Sequence, residues 1–286
     1  MDQKYIDLFD EFTHGTMSRR GFMERLARLA GGAAAAAALV PILQNNYAEA
    51  GIVPKEDERL VTETATYDVD GKTMSGYLAR LKGGGKRPGV IVIHENRGLN
   101  PHIKDVARRM ALEGFLAFAP DALSPVGGTP ADQDRAREMI YELDRDATVA
   151  RMVAAVPFIV GHAESTGKVG AIGFCWGGGM VNTLAAAGTS LTAGVPYYGR
   201  QLPVEDVPKI TAPLCLQYAG LDKRINEGID AYVAALKANG KPYELHIYEG
   251  ANHAFNNDTN EARYDKEAAD LAWGRTVEFL KEHLAG

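Results

Sequence analysis

Cysteine is nearly missing from this chain: among 286 residues there are only Cys175 and Cys215. Two thiols build no disulfide framework, and no Cys-x-x-Cys pair offers a zinc site. Runs of lysine and arginine are also missing. The 31 basic residues stand against 37 acidic ones, a net charge of −6. That mild acidity argues against nonspecific binding to nucleic acid or to an anionic membrane, because nothing is concentrated to neutralise phosphates. No apolar run approaches the ~20 residues that cross a bilayer; the run from Gly31 to Leu43 falls short. His94-Glu95 and His102 do not make His-Glu-x-x-His, and Gly83-Gly84-Gly85 lacks the Lys-Ser/Thr of a phosphate-cradling loop. These absences imply no metal, no cofactor, no nucleic-acid partner and no stable membrane insertion. They leave the oligomeric state open, a dimer among the options.

What is present is ordinary for a folded, water-soluble body: 46% apolar and 24% charged residues. The N-terminus stands apart, and residues 1–50 divide from residues 51–286. Arg19-Arg20 precede the apolar run, and the small-x-small stretch Ala48-Glu49-Ala50 follows it. That order describes a twin-arginine signal peptide, which would send the chain to a periplasm. The other reading is a retained pair of helices in a cytoplasmic chain. "YIDLFDEF" is amphipathic, and "FMERLARLAGGAAAAAALV" has good helix propensity, weakest at its two glycines.

Beyond the polar link "GIVPKEDERL", two alternating stretches, 61–69 and 72–81, flank Asp70-Gly71 and predict a hairpin. "GVIVIHE" is then continuously apolar, as a strand buried on both faces must be. Helix patterns at 102–114, at roughly 132–162, after Gly177, near 225–239 and near 263–284 alternate with apolar strands "FLAFAPD", "KVGAIGF", "LTAGVPYYG", "APLCLQYAG" and "YELHIYEG". The alternation predicts an α/β fold: a mostly parallel sheet with helices on both faces and antiparallel edge strands from the hairpin.

Within that frame Gly173-Phe174-Cys175-Trp176-Gly177 has the G-x-S-x-G spacing of the nucleophile elbow of α/β hydrolases, with cysteine in place of serine. Such a site runs nucleophile, acid, base along the chain. Asp222 follows the apolar strand "CLQYA", and His253 sits in a Gly/Asn loop after "LHIYEG". Both positions are carboxyl ends of strands, where parallel sheets place their functional loops. The chemistry needs these types. A free thiol is only a few per cent thiolate at neutral pH, an imidazole can take its proton, and a carboxylate fixes the imidazole's tautomer. Two aimed donors for an oxyanion are the N–H groups of Trp176 and Asn96. Asp230 and Asp258 are poorer acids, one mid-helix and one after the histidine. His94, His102, His162, His246 and His283 lack the matching context. The bland alternatives are glycines that only permit tight packing, and a loop Asp and His that are merely solvated.

The motifs "VIVIHENRGLNPHIKDVARRMA", "FLAFAPDAL", "KVGAIGFCWGGGM", "PYYGR", "AGLDKRI" and "YEGANHAF" together resemble the dienelactone hydrolases, or carboxymethylenebutenolidases, over about residues 60–285. The resemblance implies an α/β-hydrolase fold with Cys175 as nucleophile, His253 as base and Asp222 as its orienter. It also implies that Glu95 controls the thiol's ionisation; the plain alternative is a surface carboxylate paired with Arg97. The implied substrate is a small ester or lactone, opened through a thiol-bound acyl intermediate. The arginines that hold the substrate carboxylate in characterised relatives are not matched: Ser124-Pro125 and Asn256-Asn257 stand in their places. Arg97, Tyr198 and Arg200 are the remaining substrate-binding candidates. A redox-responsive thiol or binding protein on the same scaffold is the alternative; its resolving cysteine would have to be Cys215, inside an apolar strand. A papain-like arrangement is disfavoured because there the orienting residue follows the histidine.

Overall fold

The computed structural model describes residues 1–47 and 51–285. Three N-terminal helices, α1 (Gln3–His14), α2 (Arg19–Ala30) and α3 (Ala33–Leu43), precede a hairpin of β1 (Leu60–Val69) and β2 (Lys72–Leu81). There follow β3 (Arg87–Ile93), α4 (Pro101–Leu112), β4 (Leu116–Pro120), α5 (Gln133–Glu142), α6 (Arg145–Val160), β5 (Ser165–Phe174) and α7 (Trp176–Ala186). The last part runs β6 (Leu191–Tyr197), β7 (Leu214–Ala219), α8 (Lys223–Asn226), α9 (Ile229–Ala238), β8 (Tyr243–Tyr248) and α10 (Lys266–Leu284).

The eight strands form one sheet in the order β1-β2-β4-β3-β5-β6-β7-β8. β1 and β2 are antiparallel to each other, β2 is antiparallel to β4, and every other pairing is parallel. Asp70 and Gly71 both take positive φ, 51° and 70°, which suits the twist of a two-residue hairpin. The central strands are dry on both faces. Val90, Ile91, Val92 and Ile93 of β3 have no exposed surface, which is why that stretch reads as unbroken apolar sequence. The helical stretch expected near 132–162 is two helices. Leu143 follows the end of α5 and Asp144 caps α6, accepting from the Ala147 N–H at 2.8 Å.

The first helices form a cluster with its own apolar centre. Phe9, Phe12, Phe22, Leu26 and Leu43 are buried in it, with Phe12 stacked on Phe22 at 4.6 Å. The Gly31-Gly32 weak point is a break, and α2 and α3 are bent 113° from each other there. Among the described residues no single helix is long and apolar enough to cross a membrane. The cluster is tied to the rest of the chain by polar bonds. Arg137 donates to Phe12 O at 2.9 Å, Asn96 Nδ2 to Thr13 O at 3.0 Å, and Asn260 Nδ2 to Leu43 O at 2.7 Å. Of the paired arginines, Arg19 forms an ion pair with Asp134 and Arg20 pairs along its own helix with Glu24. The expected cleavage stretch, Ala48-Glu49-Ala50, lies outside the described residues.

Candidate active site

β5 ends at Phe174 and α7 begins at Trp176, so Cys175 must turn the chain by itself. It does so at φ 56°, ψ −112°, a conformation that costs a non-glycine residue roughly 1–3 kcal/mol. Its neighbours make the turn possible. A Cβ on Gly173 would overlap the Gly177 carbonyl, and one on Gly177 would overlap the carbonyl oxygens of Ile93 and His94. The Cys175 N–H donates to Tyr197 O at 3.0 Å, which locks the elbow to β6. The Trp176 N–H lies in the first turn of α7, where helix geometry supplies no acceptor.

Asp222 follows β7 and caps α8. Its Oδ1 accepts from the Ile225 N–H at 3.2 Å, and its Oδ2 takes Nδ1 of His253 at 2.5 Å. One carboxylate oxygen fixes the loop and the other fixes the ring. His253 lies on the turn after β8, where Ala254 takes φ 66°. It is buried, its Nε2 has no hydrogen-bond partner among the described residues, and the Tyr198 ring packs against it with centroids 4.9 Å apart. Burial disfavours charge on His253, but Asp222 and the Cys175 sulfur outweigh it and hold the pKa up at about 9. Burial likewise opposes ionisation of Asp222, and the charge of His253 overrides it and keeps that carboxyl below its ordinary range.

A second imidazole reaches the same sulfur. His14, the last residue of α1, places Nε2 3.1 Å from Cys175 Sγ. Its ring meets that of His253 edge to face, centroids 4.6 Å apart. Its Nδ1 lies 3.0 Å from Asp10 Oδ1 and 3.1 Å from the Asp10 main-chain oxygen. A carbonyl oxygen only accepts, so Nδ1 carries a proton and Nε2 is the ring atom that faces the sulfur.

Glu95 is buried directly beyond β3, and its Oε2 accepts from Asn257 Nδ2 at 2.8 Å. It is therefore not the surface partner of Arg97 that the alternative reading offered. Arg97 is itself buried, with its guanidinium 6.0 Å from the Phe9 ring of α1. The Arg263 guanidinium also approaches that ring, at 5.2 Å. Tyr198 has no exposed surface and packs on Phe255 and His253. Of the three substrate-binding candidates only Arg200 lines the groove that opens beside Cys175. That groove encloses about 850 Å³ and is walled by Trp176, Met180, Leu202 and Tyr141, with exposed Arg145 and Arg200 among its lining. Asn96 uses its side chain to hold Thr13 and the Tyr141 hydroxyl, at 3.0 and 3.1 Å. His94 is structural: it accepts from the Ala122 N–H, bonds Glu95 O through Nδ1 at 2.6 Å and stacks on Trp176. Burial holds its pKa down, as that neutral tautomer requires.

The family model for dienelactone hydrolases matches residues 74–284. The chain belongs to the dienelactone hydrolase family. It is an ester and lactone hydrolase on an α/β-hydrolase fold, as the sheet order and the elbow lead one to expect. A separate model, described as YqhI-like, matches residues 1–32 of the hydrolase. Among its relatives is Protein usf of Aquifex pyrophilus, 37% identical over 227 residues, covering 76% of this chain and 97% of the other. A Saccharolobus solfataricus protein provisionally named carboxymethylenebutenolidase is 33% identical over 251 residues, covering 75% and 96% of the two chains. Among solved structures, a dienelactone hydrolase-like promiscuous phosphotriesterase from metagenomic libraries superposes with a TM-score of 0.71. It is 27% identical and is matched over 79% of the hydrolase and 100% of its own chain.

Sequence reasoning missed His14, Asp10, Asn257 and Arg263. The spacing Asp10-x-x-x-His14 on a helix was the one visible signal for the first pair, and it stood in a segment set apart from the catalytic body. Nothing in the sequence marked Asn257 as the partner of Glu95; it drew attention only as a departure from the expected arginine.

Proposed function

We propose that Cys175 is the nucleophile of this hydrolase and that esters or lactones are opened through a thioester on its sulfur. The observation that carries the reading is the strained elbow, φ 56° at a non-glycine residue, with its sulfur between imidazoles. A cysteine placed only to fill space has no need of that backbone.

The sulfur attacks the carbonyl carbon as thiolate, forming a C–S bond. The carbonyl oxygen becomes an oxyanion facing the N–H groups of Trp176 and Asn96. Collapse breaks the C–O bond, and the leaving oxygen takes a proton from the His253 imidazolium. In a lactone that oxygen stays tethered to the acyl group. Water then attacks the thioester, its proton passes to His253, the C–S bond breaks and the acid leaves. Asp222 holds the ring through Nδ1 so that Nε2 serves both transfers. A His253 pKa near 9 suits an imidazole that keeps the thiol's proton at neutral pH. Glu95 is assigned the control of thiol ionisation, with its Oε2 held by Asn257.

The apolar walls of the groove suit an apolar acyl portion, and Arg200 is the cation placed to meet a substrate carboxylate. Tyr198 and Arg97 are positioning residues, one behind His253 and one beneath α1. The polar bonds joining α1 and α3 to the body support retention of the N-terminal segment over its removal as a signal. The redox alternative has little support. Cys215 is fully buried in β7, and burial pushes its thiol up to about 12, so it is a poor resolving partner.

The test is steady-state hydrolysis of a panel of small esters plus dienelactone by wild type and Cys175→Ala. Turnover lost in the variant is expected. Turnover retained by the variant overturns the thiol mechanism.

A further inference from the structure

We propose that His14, Cys175 and His253 form a binding site for a thiophilic divalent cation of the zinc type, and that the bound ion holds the nucleophile out of reaction. The sulfur and one ring nitrogen of each histidine all lie within 4.8 Å of one another, and the His14 contact is 3.1 Å. Zinc bonds of ~2.3 Å to sulfur and ~2.0–2.1 Å to nitrogen set tetrahedral donors roughly 3.5 Å apart. One donor pair is already inside that distance, and the others lie within 4.8 Å.

The second observation is the state of the two rings. His253 Nε2 is buried and has no hydrogen-bond partner among the described residues. His253 Nδ1 is hydrogen-bonded to Asp222 Oδ2 at 2.5 Å; His14 Nδ1 bonds the Asp10 main-chain oxygen at 3.1 Å and lies 3.0 Å from the Asp10 carboxylate. Carboxylate, imidazole, metal is the recurring support of histidine ligands: it fixes the tautomer, puts the lone pair on Nε2 and raises its basicity. A catalytic cysteine needs one such pair. This site has two, from opposite ends of the chain, converging on one sulfur.

The donor set chooses the ion. One thiolate and two imidazoles favour zinc over magnesium or calcium, which take oxygen ligands. Three protein donors leave a fourth position for water from the groove beside Cys175. Binding exchanges the thiol proton for the metal: the proton goes to solvent, a sulfur–metal bond forms, and nothing is oxidised or reduced. The thiolate, Asp10 and Asp222 bring negative charge to a dication, and Asp10 also pairs with Arg224 at 3.5 Å. A sulfur committed to the metal no longer attacks a carbonyl, so occupancy acts as a reversible brake that depends on α1 being in place.

The experiment titrates the full chain with Zn²⁺ against a chromophoric chelator, and separately with Co²⁺ followed by absorption. One equivalent of Zn²⁺ is expected, with a near-ultraviolet thiolate-to-cobalt band. The band disappears in Cys175→Ala and persists in Cys215→Ser, which removes the one other candidate group among the described residues, Cys215 with Glu244 and His246. Asp10→Asn keeps the shape of the helix and is expected to weaken Zn²⁺ binding by about 10–100-fold; His14→Ala weakens it further. Zn²⁺ bound no more tightly by wild type than by Cys175→Ala, or equally by wild type, Asp10→Asn and His14→Ala, overturns the site. A cobalt band that follows Cys215 overturns it too. None of these readings uses an ester, so failure of the thiol-hydrolase mechanism and failure of the metal site are seen separately.

Discussion

His14 and His253 stand edge to face at 72° with the Cys175 sulfur beside both rings. One belongs to the first helix and the other to the loop that follows the last strand. The N-terminal helix is therefore a wall of the candidate active site, and disturbing it should register at the thiol. Phe12 is the natural place to do so, being buried, stacked on Phe22 and covered by the Arg137 guanidinium at 4.2 Å. Phe12→Ala should cost on the order of 3–5 kcal/mol of packing in the helical cluster. We expect faster proteolysis near residues 15–18 and faster alkylation of Cys175 by iodoacetamide. Unchanged rates for both would mean that α1 does not shield the thiol.

An acyl-enzyme leaves a mass. Mixing with an activated ester and quenching in acid should add one acyl group to wild type and to Cys215→Ser, and none to Cys175→Ala. Intact-mass spectra decide this, and an adduct that survives in Cys175→Ala would place the nucleophile elsewhere.

Asp222 does two jobs with its two oxygens, and the substitutions separate them. Asp222→Asn keeps an oxygen for the cap of α8 but no longer fixes the charged ring of His253. It should lower kcat by roughly 10²–10⁴-fold with a small loss of stability. Asp222→Ala should add about 1 kcal/mol of destabilisation from the lost cap. Equal melting temperatures for the two variants would contradict the division of labour.

The pH dependence of stability follows from His253. Its pKa is about 9 in the folded chain against an ordinary 6.5, so the folded state holds that proton more tightly. The stabilisation is complete below about 6.5 and is lost as pH rises through about 9. Asp222 and Asp10 are both held below their ordinary range, against burial, by the histidines they face, so their contribution is lost instead in acid. The wild-type melting temperature should fall between pH 6.5 and about 9, and His253→Gln should flatten that fall. A slope that persists in His253→Gln would assign the alkaline loss to other groups.

Gly177 tests the elbow itself. A Cβ there meets main-chain oxygens of Ile93 and His94, which cannot rotate away. Gly177→Ala should cost ~1–3 kcal/mol or more and displace Cys175 from its partners. Circular dichroism melts and ester turnover should fall together.

The sequence by itself determined the sheet and the meeting of the elbow with two strand-end loops. Continuous apolar runs such as Val90–Ile93 require burial on both faces, Asp70-Gly71 require a tight hairpin, and Gly173 and Gly177 leave room for one sharp turn at Cys175. Strand ends then bring Asp222 and His253 to that turn, because parallel strands share one carboxyl edge. These are local rules, periodicity and steric size, and they are written residue by residue. What only the tertiary structure decided is long-range. The docking of α1, which delivers His14 to the sulfur and covers Arg97 and Arg263, rests on aromatic packing and on bonds such as Asn96 to Thr13 that no spacing encodes. The pairing of Glu95 with Asn257 is of the same kind. A side chain's partner across the fold depends on how whole elements pack, so the second histidine became visible only when the first helix was laid against the elbow.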